Sequence, residues 1–283
     1  MSEKFTVTKE STLLPFLIEK LDTWSRSKVK QRLQGKCVLV NDRVISQHDE
    51  ALVPGDVVEV VAPGQRQPKE IERLEILYLD RELIAINKPA GLLSVSTEFD
   101  KKNHALAVLR NQLSNPKQNA QLWPVNRLDR ETSGVMLFAT SKETREAVME
   151  NWDQTEKIYL AIVKGTPEDE EGSITEPLRY DEEQASVHVG EHPDAKPAIT
   201  HYKVIRSVGA RSMLEVNIET GRQHQIRAHL AWLGYPVMGD EKYGMKGRRM
   251  ALHALRLKLK HPVSGKELRF ETPARPDFLK LLG

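Results

Sequence analysis

Strand-like runs in residues 74–283 come in clusters, with few helical segments between them. ILYLD and LIAINKP follow each other closely, VMLFAT is a short continuous apolar run, and KIYLAIVKG and SMLEVNIET alternate. A doubly wound parallel sheet needs a helix after nearly every strand, so this order predicts an α+β fold. The clear helical segment is QHQIRAHLAWLG, where Ile226, Leu230 and Leu233 share a face and Gly234 acts as the stop.

A second constraint is APGQRQPKEIER, residues 62–73, rich in Pro, Gly and charge. That composition reads as a linker. It divides the chain into a small unit, residues 1–62, a linker, residues 63–73, and a larger unit, residues 74–283.

In the small unit, TLLPFLIEKL puts Leu13, Leu14, Leu17, Ile18 and Leu21 on one helical stripe, with Thr12 as the expected cap. A second helix is predicted after Ser25, burying Val29 and Leu33 and stopping at Gly35. CVLVNDRVI reads as two short strands around a turn at Asn41-Asp42, and LVPGDVVEVV closes the unit. Arg26, Lys28, Lys30, Arg32 and Lys36 fall within eleven residues that contain no acid. A helix with one apolar and one basic side suits phosphate contacts, although a solvated helix face has the same pattern.

Whole-chain charge does not decide the matter. Lys+Arg total 42 and Asp+Glu 40, for a formal charge of +2, so any nucleic-acid signal has to be local. The single cysteine, Cys37, cannot form an internal disulfide and suits a reducing cytoplasm. No apolar stretch approaches membrane-spanning length, and the N-terminus lacks a basic segment followed by an apolar run. A soluble cytoplasmic protein is expected, with no membrane contact.

Two segments carry chemistry. In NRLDRETSGVMLFA, residues 126–139, a polar cluster around Asp129 runs directly into an apolar strand. Positive charge at Arg127 and Arg130 suits an acid that must act as a carboxylate, though a surface turn with local ion pairs would read the same way. In GRQHQIRAHL, residues 221–230, Arg222, His224, Arg227 and His229 gather at a helix start, a natural anion site. His224 and Arg227 are three apart and share a face, whereas His224 and His229 are five apart and do not pair as metal ligands. In KIYLAIVKG, Tyr159 shares a strand face with Ala161 and Val163, where it could stack on a base or serve as a core tyrosine.

The segments NKPAGLLSVS, NRLDRETSGVMLFAT, KIYLAIVKG, TGRQHQIRAHLAWLGYPVMGDEKYG and RMALHALRLKLKHPVSG occur in this order, and together they strongly resemble the RluA-type pseudouridine synthases. The resemblance spans residues 74–282 and implies a mixed, mainly antiparallel sheet. It implies that Asp129 is the catalytic aspartate, that Tyr159 lies against the target base, that Arg222 pairs with Asp129, and that Leu252 lines the pocket. Lys88, Pro89 and Gly91 are expected to shape the loop beneath it, and Arg127 to contact RNA near the reacting uridine. Residues 8–62 resemble the S-four-like (alpha-L) RNA-binding domain, which implies RNA contacts at Arg26, Lys28, Lys30 and Arg32.

Two positions depart from the pattern. Asn126 stands where the family usually has His, and Gln223 where it more often has Thr. Asn cannot titrate near neutral pH, so the change bears on RNA contacts or target choice more than on the chemistry.

The reaction so implied needs no cofactor and no metal, and no Walker loop or G-x-G-x-x-G is present. RNA is the expected partner, ribosomal RNA ahead of transfer RNA, with the protein a monomer. Two other readings stay open at this stage. One is a non-catalytic RNA-binding or ribosome-assembly factor on a synthase fold. The other is a glycosidic-bond hydrolase using Asp129 with Glu131, although such enzymes place two carboxylates about 5–9.5 Å apart.

Overall fold

The structure is a computed structural model that describes residues 3–35, 37–41, 43–45, 47–62, 71, 73–97, 103–115, 119–247 and 249–283. The chain divides into two compact units, Met1–Glu70 and Ile71–Gly283. Most of the predicted linker (63–70 and 72), Asp42 of the predicted turn and Lys36 of the basic run lie outside the described residues.

The first unit runs β1 (Glu3–Thr6), β2 (Ser11–Thr12), α1 (Leu13–Lys20), α2 (Arg26–Gln34), β3 (Val38–Val40), β4 (Arg43–Val44), β5 (Ala51–Leu52) and β6 (Val57–Val60). Four strands form a sheet in the order β1-β6-β3-β4, and β2 pairs with β5. Leu13, Leu14, Phe16 and Leu17 of α1 pack with Val29 and Leu33 of α2 against Val38, Val40, Val58 and Val60 of the sheet. Full burial of such side chains is worth about 1.5–3 kcal/mol each. Thr12 occupies the cap position of α1 but makes no side-chain cap bond. The first amides of that helix, Leu13 and Leu14, donate instead to the carbonyls of Glu50 and His48, so a side-chain acceptor is not needed. Ser25 does cap α2, accepting from the Lys28 amide at 3.3 Å.

The second unit runs β7 (Glu75–Leu79), β8 (Leu83–Lys88), α3 (Ala105–Leu113), β9 (Trp123–Pro124), β10 (Ser133–Ala139), α4 (Lys142–Met149), β11 (Glu156–Lys164), β12 (Glu171–Ile174), β13 (Leu178–Asp181), β14 (Ser186–Val189), β15 (Thr200–Val208), β16 (Arg211–Ile218), α5 (Gln225–Trp232), β17 (Leu252–Lys260), β18 (Glu267–Glu271) and α6 (Pro276–Leu279). Its main sheet has the order β12-β15-β16-β11-β17-β10-β8-β7, with β18 paired to β17 and β9 to β10. Strands β13 and β14 form a separate hairpin. The fold is α+β, and its sheet is mainly antiparallel. Among the described residues, β10 with β17 is the only parallel strand pair.

That parallel seam depends on Gly134. Its φ is +117, and a Cβ there would lie 2.1 Å from the Ala254 carbonyl oxygen. Only glycine accepts both the backbone conformation and the approach of β17. The seam fixes the segment just before β10, which carries Asp129, beside Leu252 and His253 at the start of β17.

Candidate active site

Asp129 sits in the turn that enters β10, and backbone hydrogen bonds fix that turn from below. Ser94 Oγ donates to the Leu128 carbonyl at 2.6 Å and accepts from the Leu128 amide at 3.0 Å. The Gly91 amide donates to the Arg130 carbonyl at 2.8 Å, and Arg130 Nε returns a bond to the Gly91 carbonyl at 3.1 Å. Asn126 Oδ1 accepts from the Leu137 amide at 2.8 Å, so this residue is already engaged in tying the turn to β10.

Lys88 completes the clamp. It is fully buried, and its Nζ donates to the carbonyls of Pro89, Leu92 and Arg130 at 3.0, 2.7 and 3.1 Å. Burial pulls its pKa down to about 7, against the opposing pull of Glu131 and Asp129. An unfolded lysine titrates near 10.4, so between about pH 7 and 10 the unfolded chain holds a proton that the folded chain has released. Below about pH 7 both states are protonated and the burial cost is present in full. As pH rises through this window that cost is relieved, and stability gains up to ~1.4 kcal/mol per pH unit. Lys88→Met is expected to remove this gain. Urea unfolding at pH 7, 8 and 9 would then show wild type gaining stability relative to the variant. Parallel pH profiles for the two proteins would refute it.

Above the turn, α5 supplies the facing groups. Gln225 ties down its start, with Oε1 accepting from Thr220 Oγ1 at 2.8 Å and Nε2 donating to the Ile199 carbonyl at 2.9 Å. His224 precedes the helix in a left-handed conformation, φ 51. The helix thus begins two residues later than the sequence pattern suggests, and the His224 ring turns toward Asp129.

Arg227, in the first turn of α5, is the arginine that pairs with Asp129. Its Nη1 donates to Asp129 Oδ2 at 2.8 Å. Its Nε and Nη2 donate to the two oxygens of Asp240 at 2.6 and 2.8 Å. The expected pairing by Arg222 is not what the structure contains. Arg222 lies on the pocket wall, and its Nε donates to the Pro197 carbonyl at 3.0 Å. The reason is geometric: Arg222 precedes the left-handed turn at His224, whereas Arg227 is on the helix face that meets Asp129.

Asp240 has no exposed side-chain surface. Burial pushes its pKa up, but hydrogen bonds and charge from Arg227 outweigh this and hold it below the usual carboxylate range. Burial likewise disfavours the Arg227 charge, and Asp240 and Asp129 more than restore it. Tyr243 packs over Arg227, with the guanidinium carbon 5.2 Å from the ring centroid.

One pocket gathers Arg127, Asp129, Tyr159, Arg222 and Leu252, the five residues expected to act on or contact the substrate from the larger unit, together with His224 and Arg227. Burial first, and then the charge of Asp129, raise the Tyr159 pKa, so it stays a neutral phenol. Arg127 is exposed and Leu252 is buried. Thr132 also lines the pocket, and its buried hydroxyl has no hydrogen-bond partner among the described residues. His229 is turned away, hydrogen-bonded to Thr200 Oγ1 and the Glu176 carbonyl at 2.9 Å each.

The basic residues lie in the first unit, on α2. Arg26, Lys28 and Lys30 are exposed, and Arg32 is half-buried with Nη1 3.4 Å from the Val61 carbonyl. Lys28 Nζ sits 4.1 Å and the Arg32 guanidinium 5.4 Å from the ring centroid of Trp24. Sequence reasoning passed over Trp24, Thr132, Asp240 and Tyr243. For Arg227 a signal existed, since it shares a helix face with His224.

The sequence profile of the RNA pseudouridylate synthase family matches residues 82–232. The ribosomal large subunit pseudouridine synthase D of Nitrosomonas europaea is 33% identical over 285 residues, covering 94% of this chain and 82% of its own. The protein of the same name from Escherichia coli strain K12 is 30% identical over 289 residues, covering 94% and 88%. Among solved structures, human RNA pseudouridylate synthase domain containing 4 superposes with a TM-score of 0.60 at 27% identity, covering 72% of this chain and 90% of that one. With a polar turn held against a helix-borne arginine, and relatives matching along nearly its whole length, the chain belongs to the RNA pseudouridylate synthase family, as an RluA-type enzyme.

Proposed function

We propose that this enzyme isomerises specific uridines of large-subunit ribosomal RNA to pseudouridine, with Asp129 acting on the ribose. The carrying observation is the Asp129 carboxylate, paired to Arg227 at 2.8 Å in a pocket that also holds Tyr159 and Leu252. The reaction breaks the bond from ribose C1′ to N1 of uracil and joins C5 to the same carbon, with no net hydrolysis. Asp129 attacks the ribose as a nucleophile or removes a ribose proton to give a glycal-like intermediate. Either route needs the ionised carboxylate that Arg227 holds in place.

The target base must leave its stack to reach this pocket, and the Tyr159 ring offers it a replacement surface. The charge of Asp129 is one cause that keeps Tyr159 protonated.

The first unit serves as an S-four-like RNA-binding domain, with Arg26, Lys28, Lys30 and Arg32 of α2 toward phosphate. Replacing Arg26 and Lys30 together by Gln is expected to weaken RNA binding without altering the chemical step. The slope of log affinity against log salt should fall by about 0.7–0.9 for each phosphate no longer neutralised. An unchanged slope would take α2 out of the interface. The protein is further proposed to act as a cytoplasmic monomer.

The function itself is tested by deleting the gene in its host and mapping pseudouridines in ribosomal and transfer RNA by carbodiimide-based sequencing. Sites that vanish, and return with wild type but not with Asp129→Asn, establish the reaction and its target. No change in either RNA class would refute it.

A further inference from the structure

The Tyr243 hydroxyl accepts the Val187 amide at 2.7 Å and lies 2.9 Å from His224 Nδ1. An amide N–H can only donate, so that bond uses a lone pair and leaves the phenolic proton free. Burial raises the Tyr243 pKa to about 12, so the proton stays on. Its one remaining partner among the described residues is His224 Nδ1. Both bonds are satisfied together when Tyr243 donates to Nδ1, and a neutral imidazole that accepts there carries its own proton on Nε2.

That Nε2–H is aimed into the pocket and makes no hydrogen bond among the described residues. Asp129 Oδ1 lies 3.8 Å away, beyond hydrogen-bond range. The other oxygen of Asp129 is occupied by Arg227. The His224 side chain is only 13% exposed, so bulk water is not its ordinary partner. Every neighbouring element bears on its charge: Asp129 from the turn before β10, Arg227 from α5, and Asp240 and Lys242 from the segment before β17. Burial, helped by the positive charges of Arg227 and Lys242, outweighs the two carboxylates and lowers the His224 pKa, so the ring is neutral.

We propose that His224 is a substrate-facing donor, held by Tyr243 as the Nε2-protonated tautomer, whose N–H meets an acceptor oxygen of the flipped uridine beside Asp129. The oxygens around the reacting carbon are uracil O2, the ribose 2′-oxygen and the ribose ring oxygen. A neutral donor suits the position, because a cationic ring would compete with the substrate for the Asp129 carboxylate. The proposal rests on the uridine-isomerase reading above.

Two substitutions separate the ring nitrogens. Asn tolerates the left-handed backbone and places its amide near Nδ1, which keeps the bond to Tyr243 but removes the Nε2 donor. Gln reaches the Nε2 position. With the full chain and an RNA fragment carrying the mapped target, His224→Asn is expected to slow single-turnover conversion about 100-fold, while RNA affinity stays within about 3-fold. His224→Gln is expected to recover most of the rate. A 2-thiouridine target distinguishes the oxygens. If its penalty disappears in His224→Asn, the bond is to uracil O2, and if the penalty persists, it is to the ribose. In wild-type protein labelled with 15N-histidine, the ring signal that disappears in His224→Asn is expected to be neutral and protonated at Nε2. An Nδ1-protonated or cationic signal overturns the tautomer, and wild-type rates in His224→Asn overturn the donor. Loss of all conversion in wild type would instead overturn the isomerase reading.

Discussion

Asp129→Asn is expected to lower pseudouridine formation by at least about 10⁴-fold, the scale seen when a reacting group is removed outright. The replacement is nearly isosteric, and its amide oxygen still accepts from Arg227 Nη1. The turn itself is held by Lys88, Ser94 and Asn126 through backbone groups, none of which contacts the carboxylate. The fold and the pocket shape are therefore kept. What is lost is the negative charge and the nucleophilic or basic oxygen. RNA affinity is expected to stay within a few-fold, because the acid makes no attractive contribution to a polyanion. Single-turnover conversion and filter-binding affinity of the same preparation measure the two quantities. Conversion within about tenfold of wild type would remove Asp129 from the chemistry, and lost RNA binding in a folded variant would contradict this division of labour.

The second large effect lies at Arg227. Arg227→Met leaves Asp240 as a buried carboxylate whose remaining bonds come from the amides of Lys242 and Tyr243. Breaking one side of a buried pair costs about 3–5 kcal/mol, and urea unfolding should show a loss of that size. Conversion is expected to fall about 10³-fold, because Asp129 loses the donor that orients it. Adding Asp240→Asn removes the stranded charge. The double variant should recover most of the stability and little of the activity. Recovery of both together would make Arg227 purely structural. Arg222→Ala provides the contrast, with an expected rate change below about tenfold, since its guanidinium bonds to the Pro197 carbonyl and not to the acid.

Much of the larger unit was legible from periodicity. KIYLAIVKG and SMLEVNIET became the long strands β11 and β16, and Gly234 ends the helix region with a φ of +93. Helices α3 and α4 and the β13–β14 hairpin were not anticipated: α4 and the hairpin have few apolar positions, and the start of α3 is set by the residue before it. His104, for example, caps α3 by accepting the Ala107 amide at 3.2 Å. At the site, local motifs located the right segments but not the right pairs. Whether Arg222 or Arg227 meets Asp129 turns on the left-handed backbone at His224, and nothing in GRQHQIR announces it. Asp240 is invisible for a similar reason. An acid in GDEKYG reads as solvated until the fold closes over it.

The position of β17 has a consequence for how the enzyme comes into being. This strand, Leu252–Lys260, is the last long one to be synthesised, yet it lies between β10 and β11 in the finished sheet. Before it arrives, β7, β8 and β10 can pair among themselves, and so can β11, β12, β15 and β16. Asp129 adjoins the first group, while Arg227 is attached to the second. The two halves of the active site thus sit on separate half-sheets, and β17 is the strand that joins them.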